Sequence, residues 1–367
     1  MTNPLVRLGQ LGQSPWYDHI TRDLVTEGEL ARLIAEDGLL GMTSNPTIFE
    51  KAVAGSRLYD EDIRRLTDEG RDAAAIFEAI ATEDVRAACD LFRPAYDASG
   101  EGDGTVSIEV SPTVADDAAA TLTEAKRLWA MVGRPNVMVK IPGTRACLPA
   151  ITSALAAGIN INVTLLFSLE RYGEVIEAFL AGLEQRVAAG QPIDAVHSVA
   201  SFFVSRVDTK VDPQLDKTGD PAGIRGRTGI ANAALAYRLF ETTLASARWR
   251  DLAAKGAKPQ RPLWASTSTK DPAYPDVYYV EALVAPRTVN TLPPETFAAY
   301  RDHGAPAVRI RESIASAEHE LAGLAEAGID LAQVTHELEE EGVSKFAASY
   351  RSLLAGIEAK AQELAVR

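Results

Sequence analysis

Short apolar runs alternate with longer, Ala-rich amphipathic segments along most of this 367-residue chain. That order restricts it to repeated β/α units around a parallel sheet. Helical periodicity covers residues 27–36, 72–92, 116–131, 169–189, 230–244 and 313–326. Between these stretches lie strand candidates at 39–43, 106–110, 137–141, 159–164, 195–201, 263–266 and 288–291, and a further one near 14–18 brings the count to eight. The order of elements fits a closed barrel and an open doubly wound sheet equally well.

The faces of the strands favour the barrel. Parallel strands covered on both sides are usually apolar on both faces, yet here one face is repeatedly polar. Val106, Ile108 and Val110 alternate with Ser107 and Glu109; Val137, Val139 and Ile141 alternate with Met138 and Lys140. Ile159, Ile161 and Val163 oppose Asn160, Asn162 and Thr164 in the same way. With the apolar faces turned to the helices, Glu109, Lys140, Asn162 and Thr164 converge inside, at the carboxyl ends of the strands where barrel enzymes do their chemistry. The expectation is therefore one (β/α)8 TIM barrel domain spanning residues 1–367 with additional helices. One of these is an amphipathic C-terminal helix at 343–367 that docks Phe346, Tyr350, Leu353, Leu354 and Ile357 on the barrel.

Charge and composition narrow the function classes. Against 37 Lys and Arg stand 51 Asp and Glu, a formal charge of −14, which excludes a general footprint for nucleic acid or anionic membrane. Any anionic substrate must be met by a local cluster of cations. No apolar run reaches the roughly 18 residues needed to span a bilayer, and the first ten residues lack the pattern of a signal peptide, so a cytoplasmic location is expected. Cys89 and Cys147 are too few for a disulfide framework or zinc cluster and read as free buried thiols. His19, His197, His303, His319 and His336 lack paired metal spacing, so no metal is expected. Asn162-Val163-Thr164 matches a glycosylation sequon only incidentally. Residues 99–104 read as a turn before a strand, 217–228 as a Gly-rich loop that is either mobile or a solvated connection, and 337–341 as a charge run on a solvated helix end.

The residue that stands out is Lys140, inside the apolar strand Val137-Met138-Val139-Lys140-Ile141-Pro142. Burial disfavours an ammonium, and a lysine kept neutral is a nucleophile toward carbonyls. A strand-end lysine can instead snorkel to solvent; for an isolated lysine that reading wins, and it is the neighbouring polar faces that shift the balance. Glu109 is the natural partner, either as a buried ion-pair mate or as an enclosed carboxyl of raised pKa able to shuttle protons.

Two stretches carry a family resemblance. Gly41-Met42-Thr43-Ser44-Asn45-Pro46-Thr47-Ile48-Phe49 resembles the N-terminal signature of the transaldolases. Val139-Lys140-Ile141-Pro142-Gly143-Thr144, followed by the segment 158–168, resembles that family's Schiff-base strand and the strand after it. The likeness runs in order along nearly the whole chain, with the character of the long bacterial type, and is weakest in the Gly-rich loops and at the C-terminus.

The resemblance implies a three-carbon ketol transfer between sugar phosphates in the non-oxidative pentose phosphate pathway, with no cofactor, by a monomer or homodimer. Lys140 would be the Schiff-base nucleophile, and Asp18 would take the proton of the C4 hydroxyl. Glu109 and Thr164 would hold the catalytic water. Asn45, Asn162 and Ser201 would bind hydroxyls of the dihydroxyacetone unit, with Thr43 and Ser44 of the first signature beside them. Without the family, both asparagines read as structural amides and Asp18 as a turn or helix-cap residue.

For the phosphate, Arg206 and Ser266 match the family pattern. The usual second arginine is absent, and Lys270 is its substitute, a point charge in place of a planar fork. In this family a phenylalanine at the position of Phe203 accompanies transfer, whereas a tyrosine accompanies release of free dihydroxyacetone. A catalytically dead barrel is the third reading, disfavoured because Lys140, Glu109 and Asp18 are all present.

Overall fold

The computed structural model describes residues 3–100, 102–220 and 222–365. Met1 and Thr2 of the N-terminal segment, Glu101 of the expected turn, Pro221 of the Gly-rich loop, and Val366 and Arg367 of the expected tail helix lie outside the described residues.

Eight parallel strands close on themselves in chain order. They are β1 (Gln13–Tyr17), β2 (Gly41–Thr43), β3 (Thr105–Glu109), β4 (Val137–Pro142), β5 (Ile161–Leu166), β6 (Ser198–Phe203), β7 (Arg261–Ala265) and β8 (Thr288–Leu292). Closure is made by β1 pairing with β8 from Gln13 opposite Thr288 to Tyr17 opposite Leu292. The chain is thus a (β/α)8 barrel, and all eight expected strands are present within two or three residues of their expected positions.

The period-two split of the strands sorts the core into two clusters. Val106, Ile108, Val137, Val139, Ile141, Ile161 and Val163 face outward into the layer of helices. Trp16, Met138, Val199, Phe203, Leu263, Ala265 and Val289 fill the inside. Trp16 is fully buried, and it lies so close to Gly41 that a Cβ there would meet the indole at 2.5 Å. A side chain on β2 at that point is therefore excluded by packing alone.

Helix boundaries depart from the expected ones where backbone chemistry intervenes. The helix expected over 27–36 begins at Glu29, because Gly28 at φ +90° interrupts the chain after the short helix Arg22–Thr26. The helix expected over 72–92 runs as Ala73–Ala98 through Pro94, carrying Tyr96 into the interior. The C-terminal helix is Leu331–Ala365, beginning twelve residues before the expected start of 343. The acidic run 337–341 therefore lies inside this helix: Glu337 and Glu341 pair with Lys210, and Glu339 pairs with Arg171. These carboxylates pin the helix across the barrel mouth instead of marking a solvated end.

That docking has a specific geometry. Near the top of β5 the register shifts between Val163 and Leu166, and Leu165 takes a left-handed conformation at φ +62°. Its side chain then packs against Gly342, where a Cβ would come within 2.9 Å of Leu165 Cδ2. One helical turn further on, Phe346 is placed over the mouth. The expected apolar stripe of Phe346, Tyr350, Leu353 and Ile357 is buried, with Leu354 partly so.

Candidate active site

Strand register builds the centre of the site. Glu109 on β3 stands opposite Lys140 on β4, and Lys140 stands opposite Asn162 on β5, one row at the carboxyl end of the barrel. Lys140 Nζ lies 3.3 Å from Glu109 Oε2 and donates to the backbone carbonyl of Ser44 at 3.3 Å. The two side chains are 7% and 5% exposed. Burial pushes the Glu109 carboxyl up to about 7; the charge of Lys140 pulls the other way, and that of Asp18 adds to the rise. A carboxyl poised there can give and take a proton near neutrality.

The supporting polar groups are held in place by their neighbours. Asn162 Nδ2 donates to Ser107 Oγ at 3.0 Å, and Ser201 Oγ donates to Asn162 Oδ1 at 2.7 Å. Asn162 is fully buried, which removes it from any glycosylation. Thr164 Oγ1 is buried without a hydrogen-bond partner among the described residues, an unsatisfied hydroxyl of the kind that native proteins keep for a ligand or for function.

Asp18 follows β1 and accepts a 2.6 Å hydrogen bond from Thr43 Oγ1, which is itself 2.7 Å from Thr291 Oγ1. The nearby helix is capped by Thr21, not by Asp18. Asn45 accepts from the amide of Ile48 at 3.1 Å and caps the helix Pro46–Gly55. Ser44 is buried, and its Oγ donates to Ser107 O at 2.8 Å, so it fixes the chain whose carbonyl receives Lys140.

A cavity of about 870 Å³ opens above this centre. Asp18, Thr43, Asn45, Lys140, Thr164, Ser201, Phe203, Arg206, Ser266 and Lys270 all line it, which brings together ten of the thirteen residues expected from the sequence. Glu109, Ser44 and Asn162 stand beside Lys140 without lining this cavity.

Arg206 sits in the first turn of the helix Ser205–Thr218, its guanidinium 4.9 Å from the centre of the Phe203 ring. Ser266 turns the chain after β7 at φ +56° and lies 2.9 Å, Oγ to Oγ, from Ser205. Lys270 is exposed at the cavity rim. Of the loop expected over 217–228, the first two residues end the helix Ser205–Thr218 and Thr228 begins the helix Thr228–Ala245; between them Arg225 donates hydrogen bonds to Asp216, Asp271 and Tyr274.

Lys51, Lys345 and Phe346 also line the cavity, and sequence reading did not place them in the site. Lys51 lies on the helix that begins inside the first signature, the one signal that pointed to it. The Phe346 ring centre is 5.5 Å from Lys140 Nζ. Lys51, Arg206, Lys270 and Lys345 make the cavity mouth cationic in a chain of net charge −14, the local cluster that an anionic substrate requires. Among the described residues no group of three or more His, Cys, Asp or Glu side chains is arranged to hold a metal ion, and no helix is long and apolar enough to cross a membrane. Cys89 and Cys147 are buried free thiols.

Comparison with known proteins places this geometry. Residues 15–357 match the family model described as transaldolase/fructose-6-phosphate aldolase. The chain belongs to that family. It is 51% identical over 360 residues to a transaldolase of Frankia alni, covering 97% of each chain. A transaldolase of Acidothermus cellulolyticus is 51% identical across 97% of this chain and 96% of its own. One of Thermobifida fusca is 49% identical across 100% and 99%. The barrel, the lysine strand and the first signature of this transaldolase-family member thus stand in one continuous, full-length likeness.

Proposed function

We propose that this chain transfers a dihydroxyacetone unit from fructose 6-phosphate or sedoheptulose 7-phosphate to erythrose 4-phosphate or glyceraldehyde 3-phosphate, through a Schiff base on Lys140. The observation that carries this reading is the enclosed lysine 3.3 Å from a carboxyl poised near 7, at the base of a cavity rimmed by cations. The amine of Lys140 adds to the C2 carbonyl of the ketose. Glu109, with Thr164 orienting water, delivers a proton to the carbinolamine hydroxyl, which leaves as water and yields the imine.

Asp18 then accepts the proton of the C4 hydroxyl. The C3–C4 bond breaks, its electron pair flows into the imine, and the aldose departs from a bound enamine. Attack by C3 on the carbonyl carbon of the acceptor reverses these steps, with Asp18 returning its proton to the new hydroxyl. Hydrolysis of the imine frees the product and Lys140. Arg206, Ser266 and Lys270 hold the phosphate, Lys51 and Lys345 add to the positive field, and Ser201, Asn45 and Asn162 orient the hydroxyls.

Phe203, apolar and packed against Phe167 with ring centres 5.0 Å apart, supports transfer over release of the three-carbon unit. The pathway and cytoplasmic setting are those of pentose phosphate interconversion. Incubation with fructose 6-phosphate and erythrose 4-phosphate is expected to yield sedoheptulose 7-phosphate, with little free dihydroxyacetone when the acceptor is omitted. Dihydroxyacetone released at the same rate with and without acceptor would contradict transfer.

A further inference from the structure

Glu109 is not among the residues that line the main cavity. It borders instead a second cavity of about 280 Å³. That volume has room for several water molecules at roughly 30 Å³ each. Its walls come from the start of the helix Pro46–Gly55, the helices Ala73–Ala98 and Ala118–Val132, the end of β3 and Tyr350 of the C-terminal helix. Among the described residues only Asn45 borders both cavities, and the C-terminal helix contributes to both with one face, Phe346 in front and Tyr350 one turn later behind.

Polar groups line the rear cavity from Glu109 to the surface. Ser111, two residues after Glu109, donates its amide to Glu124 Oε1 at 2.6 Å, and its hydroxyl is 2.7 Å from Thr113 Oγ1. Glu124 is itself held above the usual carboxylate range by burial. Beyond it the Glu78–Arg127 ion pair and Thr113 reach the exposed rim. Apart from Ser44, Asn45 and the Tyr350 hydroxyl, the remaining walls, including Phe49, Phe77, Ala75 and Leu128, are apolar.

Resting on the Schiff-base reading, we propose that the rear cavity is the water and proton route of Glu109. It serves while a sugar phosphate fills the front cavity and Phe346 covers the mouth. Each imine formed expels one water, the carbinolamine hydroxyl joined to a proton from Glu109; each imine hydrolysed consumes one and returns that proton. The expelled molecule leaves, and the hydrolytic one enters, past Ser111 and Glu124 without passing the substrate. Glu124 is a positioning residue, which orders the water that contacts Glu109 and touches no substrate.

Filling the cavity tests this. In Ala75→Leu, a helix position that is only half-buried, added bulk obstructs the rear route and leaves the front cavity untouched. Rapid mixing with fructose 6-phosphate followed by borohydride quench is expected to show adduct forming about tenfold more slowly than in the unmodified protein. Final adduct stoichiometry and KM should be unchanged. Glu124→Gln, which preserves size, should slow adduct formation in the same direction, again at constant KM. Unchanged adduct rates in both variants, beside normal adduct in the unmodified protein, would overturn the rear route alone. Absence of any adduct in the unmodified protein would overturn the Schiff-base reading, and the rear route with it.

Discussion

Lys140 Nζ and Glu109 Oε2 stand 3.3 Å apart on neighbouring strands, directly opposite one another in the β3–β4 register. The pair is enclosed, and its two residues border different cavities, Lys140 the front one and Glu109 the rear one. In the proposed reaction Lys140 meets the sugar carbonyl, while Glu109 exchanges protons with the carbinolamine hydroxyl and with water.

Replacing Lys140 by Ala should abolish turnover while leaving the barrel folded. Lys140 lowers the Glu109 carboxyl, so removing it lets burial raise that carboxyl further, and Glu109 takes up a proton instead of remaining a buried, unpaired charge. Circular dichroism and a transfer assay check this. Near-normal transfer in Lys140→Ala would contradict the nucleophile assignment.

Glu109 also gives a pH signature. Its carboxyl binds a proton more tightly folded, at about 7, than unfolded, at the ordinary 4.5. A raised carboxyl contributes stability that is complete below the unfolded value and is lost as pH rises through the folded one. The unmodified protein should therefore lose thermal stability relative to Glu109→Gln between about pH 4.5 and 7. A Tm difference that stays flat across that window would contradict the enclosed, protonatable carboxyl.

At the mouth, Arg206→Ala and Lys270→Ala should chiefly raise KM for phosphorylated sugars. A charge-assisted bond is worth roughly 1.5–3 kcal/mol, so the rise is about 10- to 100-fold for each. Unphosphorylated dihydroxyacetone serves as the control, and an equal effect on it would argue against phosphate contact.

The covering ring makes a smaller contribution. Phe346→Ala removes the aromatic face 5.5 Å from Lys140 Nζ and should lower kcat/KM about 2- to 30-fold, matching roughly 0.5–2 kcal/mol for such a contact. Unaltered kinetics would mean that the C-terminal helix does not shape the site.

On the floor of the barrel, Gly41→Ala forces a Cβ against the Trp16 indole and should cost about 1–3 kcal/mol. Urea denaturation measures it. A neutral result would show that β2 yields where the packing leaves no room.

Much of this was legible in the sequence because a strand has a strict period of two. Ser107 and Glu109, Met138 and Lys140, and Asn162 and Thr164 could be assigned to one face from alternation alone, and strand register then sets Glu109, Lys140 and Asn162 in a single row. What escaped was set by tertiary contact. The left-handed turn at Leu165 and its fit against Gly342 decide where the C-terminal helix crosses, and no local pattern encodes that meeting. For the same reason nothing in the sequence placed Lys51 and Lys345 in the site, and the acidic residues Glu337, Glu339 and Glu341 read as solvated until the helix that carries them was in place. Lys270, proposed as the second phosphate cation, was legible only through the resemblance, where spacing alone would not have pointed to it.

The most direct test of the central claim is borohydride reduction in the presence of fructose 6-phosphate, followed by intact mass and peptide mapping. One covalent three-carbon or six-carbon adduct per chain, on the peptide bearing Lys140, is the expected result. No adduct, or an adduct confined to another lysine, would contradict it.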